Sequence, residues 1–125
     1  MQNLLRVVIG LFGLLFVVMA IGFVLDPARA AANLGVGPIS PLGLATLRGD
    51  FLGFFGGSGA LSIIAAVRND SRFLTAPLLI VALTLTGRLV TIVVSGFDPA
   101  MAVPMIVEAL LILALGLGWR SLARS

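Results

Sequence analysis

The sequence has 125 residues, 60% of them hydrophobic and 10% charged, with a mean hydropathy of +1.22 and a net charge of +3, a composition that belongs to an integral membrane protein and not to a soluble domain. Cysteine, histidine, tyrosine and lysine are all absent, which excludes disulfides, thiol nucleophiles, histidine metal sites and imidazole acid–base chemistry. In so apolar a chain an excess of arginine reads as membrane orientation, not as nucleic-acid binding.

A membrane-spanning helix needs about 20 mainly apolar residues. Four segments qualify, near 7–25, 44–67, 73–95 and 101–119. They predict an all-α integral membrane four-helix bundle, one domain over 1–125, with both termini on one side. After the first span, Asp26-Pro27 supplies an N-capping acid and a residue suited to the first helical position. The Pro-Ala-Arg-Ala-Ala-Ala-Asn-Leu-Gly stretch that follows predicts a short interfacial helix with a glycine stop. Ala28-Arg29-Ala30 resembles a signal cleavage site, but the apolar run before it exceeds the roughly 7–15 residues of a signal core, so the first span is expected to stay.

Arg68-Asn69-Asp70-Ser71-Arg72 is a compact polar turn between spans two and three, and Asp98-Pro99 starts span four as Asp26-Pro27 starts the interfacial helix. Arg6, Arg68, Arg72, Arg120 and Arg124 fall on the side of the termini against one acid, Asp70. Asp26, Arg29, Arg48, Asp50 and Asp98 fall on the other. This asymmetry predicts cytoplasmic termini and, in a bacterium, an inner-membrane location.

Two charges lie well inside spans, Arg88 and Glu108. Each costs roughly 2.5–3.5 kcal/mol near a helix centre and so demands a partner or a wet cavity. At a rise of about 1.5 Å per residue, Arg88 lies roughly 23 Å and Glu108 roughly 17 Å from the cytoplasmic ends of their spans, with Asp50 and Arg48 roughly 26 and 29 Å up span two. The four charges are expected to converge in the outer half of the bundle and neutralise one another. Thr84, Arg88, Thr91 and Ser95 share a helical face and extend the polar patch. Such a cluster serves either as a buried network that fixes helix assembly or as a binding site.

Span two carries Gly49, Gly53 and Gly57 at four-residue spacing. Small residues at that period let backbones approach closely, so this row is expected to be the tightest contact in the bundle or between two copies of it. Phe51, Phe54 and Phe55 lie off the row and are expected to face lipid or fill gaps.

The pattern resembles the small four-helix membrane proteins grouped as domain of unknown function 4345. The resemblance rests on Asp26-Pro27-Ala28, on the Leu47-Arg48-Gly49-Asp50-Phe51-Leu52-Gly53-Phe54-Phe55-Gly56-Gly57 segment, on Gly87-Arg88 with Gly96, and on Glu108. It covers nearly the whole chain and departs from the family at Asp50, where an aromatic residue is common. It implies a fold and a membrane location, and no activity.

Three functions compete. The first is a non-enzymatic accessory or interaction subunit whose partners are membrane lipid and another membrane protein or a second copy, with no cofactor, no metal and no nucleic acid. The second is binding or transport of a small ionic or amphipathic ligand at Arg48, Asp50, Arg88 and Glu108, with Thr84 and Thr91 beside them. The third, an intramembrane enzyme with Asp50 or Glu108 as acid or base, lacks any accompanying nucleophile beyond Ser and Thr hydroxyls.

Overall fold

The computed structural model describes residues 2–123; Arg124, counted above among the orienting arginines, lies outside them. The described residues form an all-α four-helix bundle. Four helices are long and apolar enough to cross a membrane: Gln2–Leu25, Pro41–Arg68, Ser71–Ser95 and Pro99–Ser121, here called spans one to four. The chain is an integral membrane protein. Gln2 and Ser121 lie together at one end, joined by a hydrogen bond from the Gln2 side-chain amide to the Ser121 carbonyl (3.1 Å). That end is the near end; the opposite one is the far end.

Span one is a single helix, α1 (Gln2–Leu25), followed by the short α2 (Pro27–Ala32). Asp26 caps α2 by accepting from the Arg29 N–H at 3.3 Å. The expected glycine stop is present: Gly35 has a φ of 76°, and the Val36 N–H returns to the Ala31 carbonyl at 3.0 Å.

Span two is composite. It consists of α3 (Pro41–Phe51), a π-helical turn (Leu52–Gly57) and α4 (Ser58–Arg68). Ser40 caps its start through Gly43, and Asn69 ends it in the left-handed conformation with φ 52°, a conformation Asn tolerates better than other residues with a side chain. Asp70 then caps the 3₁₀ turn Ser71–Leu74 that leads into α5 (Thr75–Ser95). Asp98 caps a second 3₁₀ turn, Pro99–Met101, before α6 (Ala102–Ser121). Pro104 falls in the first turn of α6, where a missing N–H costs no helical bond.

Helix α1 is the centre of the bundle. It packs against all of span two and against α6, while α5 leans on α6 and, towards the near end, on α4. Ile9, Phe16, Ala20 and Phe23 supply the buried side of α1. Phe16 meets Phe54 and Phe55 edge to face, and Phe23 stacks on Phe51 at 4.7 Å and on Phe55 at 5.7 Å. Of the two expectations for these phenylalanines, lipid or gaps, Phe55 takes the second, buried between spans one and two, with Phe51 and Phe54 half-buried beside it. Span three is the least covered, and Val93 and Val94 near its far end are 86% and 76% exposed.

Candidate functional site

Arg88 on α5 and Glu108 on α6 meet. The guanidinium Nε donates to Glu108 Oε1 at 2.6 Å, a length in the charge-assisted range. The two side chains differ in burial, 34% exposed for Arg88 against 10% for Glu108. Glu108 belongs to the seam of α6 that also buries Leu111, Leu115 and Gly118, so its carboxylate is surrounded by helix and not by solvent. Its second oxygen, Oε2, is buried and accepts no hydrogen bond. A carboxylate can accept several, and a buried acceptor left bare is costly. Among the described residues the only bond of the Arg88 guanidinium is the one through Nε.

The remaining members of the expected cluster lie elsewhere. Arg48 is exposed and its Nε donates to the Val24 carbonyl at 3.1 Å. Asp50 is also exposed, and neither residue takes part in an ion pair among the described residues. The structure therefore joins one cation and one anion, not two of each. The physical reason is azimuth: residues two apart on a helix point about 200° apart, so Arg48 turns towards α1 and Asp50 away from it. Helix α3 packs on α1 and α2, not along the seam between α5 and α6.

The threonine hydroxyls are satisfied on their own helix. Thr84 donates to the Ile80 carbonyl at 2.9 Å and Thr91 to the Gly87 carbonyl at 3.1 Å. Neither hydroxyl donates to the Arg88–Glu108 pair, although Thr84 is half-buried below it.

The glycine row also differs from expectation within the bundle. A Cβ built on Gly49, Gly53 or Gly57 would meet nothing within 4 Å. The close approach occurs instead between Gly13 of α1 and Gly59 of α4, with Gly56 against Ala20. The three glycines do share one side of span two, but it is the exposed side; the side packed on α1 carries Leu47, Phe55, Ser58 and Gly59. Gly59, three positions beyond Gly56, is the residue presented most closely to α1.

Two arginines have a structural task that the sequence reading did not assign, Arg6 and Arg48. Arg6 reaches the end of span two, its Nε donating to the Ala66 carbonyl at 2.7 Å and its Nη2 to Val67 at 3.1 Å. Arg6 and Arg48 thus form a reciprocal pair: each sits near the start of one span and caps the end of the neighbouring antiparallel one, where orphan carbonyls and the negative end of the helix dipole lie. The signal that could have found these contacts is position, one turn inside a helix start for Arg6 and two for Arg48, beside a neighbour's finish.

At the near end, Arg72 clasps Asp70 with its Nη2 2.8 Å from Oδ2. The Arg72 side chain, then its backbone N–H, holds the Asp70 carboxyl below its ordinary 3.8, at about 2. Gln2 also donates to Asn69, the Ser71 N–H bonds the Ala123 carbonyl at 2.8 Å, and the Trp119 indole donates to Thr75 at 3.1 Å. The turn between spans two and three is thus tied to both ends of the described chain.

Among the described residues no three His, Cys, Asp or Glu side chains converge as a metal site would need. An open recess of about 340 Å³ lies at the far end, lined by Val36, Pro38, Ile39, Ser40, Leu42 and Thr46 among others. No family model, no curated protein and no solved structure matches the chain.

Proposed function

We propose that this protein is a non-enzymatic accessory subunit that works inside the membrane by docking the far half of span two against another membrane protein. The observation that carries this reading is the bare row of Gly49, Gly53 and Gly57, at which an added Cβ would meet nothing. Small residues on a lipid-facing helix lower the barrier to close backbone approach by a partner helix. The bundle's own close contact uses other glycines, Gly13 and Gly59, so the exposed row is free for a partner. Exposed Asp50 beside it gives such a contact a polar end.

The same reading places the protein in a bacterial inner membrane with the near end cytoplasmic. It is supported by Arg6, Arg68, Arg72 and Arg120 at that end against Asp70 alone.

Photo-crosslinking in native membranes tests the docking face. A photoreactive residue at Gly53 should give one discrete heterologous product, lost on Gly49→Leu, while the same probe at Leu11 of α1, which is 61% exposed, gives only lipid adducts. Equal yields from both positions, or products made of this chain alone, would count against a foreign partner.

A further inference from the structure

Glu108 and Arg88 offer complementary unused valences at one place. Oε2 of Glu108 is a buried acceptor with no donor, on a side chain nine-tenths buried. Arg88 keeps its Nη donors unbonded among the described residues and is the more exposed partner. Both lie in the far half of the bundle, roughly 20–25 Å from the near end at 1.5 Å per residue. Beside them, span three is largely uncovered, with Leu89, Val90, Val93 and Val94 exposed.

We propose that the Arg88–Glu108 pair binds the head of a membrane-dissolved amphiphile, and that this head is uncharged and both donates and accepts: a hydroxyl or a protonated carboxyl on an apolar chain. The O–H of the head donates to Glu108 Oε2, and its oxygen accepts from an Arg88 Nη. The chain lies along the uncovered apolar surface of α5. No proton is transferred and no bond is made or broken.

Charge decides the class of head. Arg88 and Glu108 already neutralise each other, so a phosphate or an ionised carboxylate would bring an uncompensated charge into an apolar site, whereas a neutral head leaves the total at zero. An ester or a hydrocarbon has no donor for Oε2. Oε2 is itself closed to solvent, so the head enters on the side of Arg88, the more exposed member of the pair, with the Nε–Oε1 bond kept. This site stands independently of the docking role proposed above.

Native mass spectrometry of the full chain in detergent tests the site with hexadecan-1-ol, hexadecanoic acid and methyl hexadecanoate. The alcohol and the acid are expected to bind, and the ester at least about tenfold more weakly, since a hydrogen bond to a charged group is worth about that factor or more. This comparison uses the wild-type chain and needs no variant to fold. Binding of the acid should weaken about tenfold per pH unit from pH 6 to pH 9 as its remaining neutral fraction falls, while that of the alcohol stays constant. Glu108→Gln, checked for its helicity and unfolding temperature, should lose the preference for alcohol over ester. Equal binding of ester and alcohol, acid binding that holds at pH 9, or no binding of any probe, which would leave Oε2 to water alone, each overturns the proposal.

Discussion

Gly13 and Gly59 face each other across spans one and two with no side chain between them: a Cβ on Gly13 would stand 2.7 Å from the Gly59 carbonyl oxygen, and one on Gly59 would stand 2.6 Å from that of Gly13. Both obstacles are backbone, which cannot rotate away as a side-chain tip can. Gly13→Ala or Gly59→Ala is therefore expected to destabilise the bundle by about 1–3 kcal/mol, the range for overpacked cores. Gly53→Ala, with open space around it, should stay within about 0.5 kcal/mol of wild type. Unfolding in mixed micelles, followed by circular dichroism, would separate the two classes; equal losses at 13 and 53 would refute the assignment of the tight contact.

The Arg88–Glu108 pair predicts an asymmetric mutational pattern. Arg88→Leu leaves a buried carboxylate without its cation, a loss of about 3–5 kcal/mol in comparable buried pairs. The double variant Arg88→Leu/Glu108→Leu removes both charges and should recover most of that loss. Folded yield and unfolding of the two variants check this, and a double variant no better than Arg88→Leu would show that the pair's geometry matters more than its neutrality.

The reciprocal caps predict matching effects at opposite ends of the bundle. Arg6→Gln and Arg48→Gln each remove a charged donor from a helix terminus, where such interactions contribute about 0.3–1 kcal/mol when exposed. Amide hydrogen exchange should show faster fraying around Ala66 and Val67 in the first variant and around Val24 in the second. Fraying at the same end in both would contradict the arrangement.

Acid should loosen the turn at the near end. Asp70 is held at about 2 in the folded chain, below its ordinary 3.8. Its contribution is thus complete above about 3.8 and is lost as the pH falls through about 2, because the unfolded chain takes up that proton first. Unfolding temperature measured from pH 5 down to pH 2 should fall less steeply in Asp70→Asn than in wild type. Parallel curves would assign the acid sensitivity to other carboxylates.

Much of this architecture was legible because it is written locally. The four apolar runs, the Asp26 and Asp98 starts, and the glycine after α2 each depend on neighbours within a turn. Height was legible as well: counting helical rise placed Arg88 and Glu108 within one side-chain length, and they meet. Azimuth was not. The same count put Arg48 and Asp50 near that level but carried no information on which way α3 is turned, and α3 is turned towards α1. The glycine row is a second case of unread azimuth: its four-residue spacing does put Gly49, Gly53 and Gly57 on one side of span two, but that side faces out of the bundle, while the contact between two copies is a separate expectation.

That π-helical turn makes span two two helices in different phase. A π turn amounts to one residue more than an α-helix needs, and one residue is about 100° of rotation. Deleting a single residue within 52–57 would therefore let the span run as continuous α-helix with Gly49 and Asp50 still facing as they do, whereas rewinding the turn as α-helix with every residue kept would swing them about 100° around the axis while Gly59 stayed against Gly13. Which surface the far half shows to the membrane thus depends on how six residues wind, and not on the Gly13–Gly59 seam that holds the near half together.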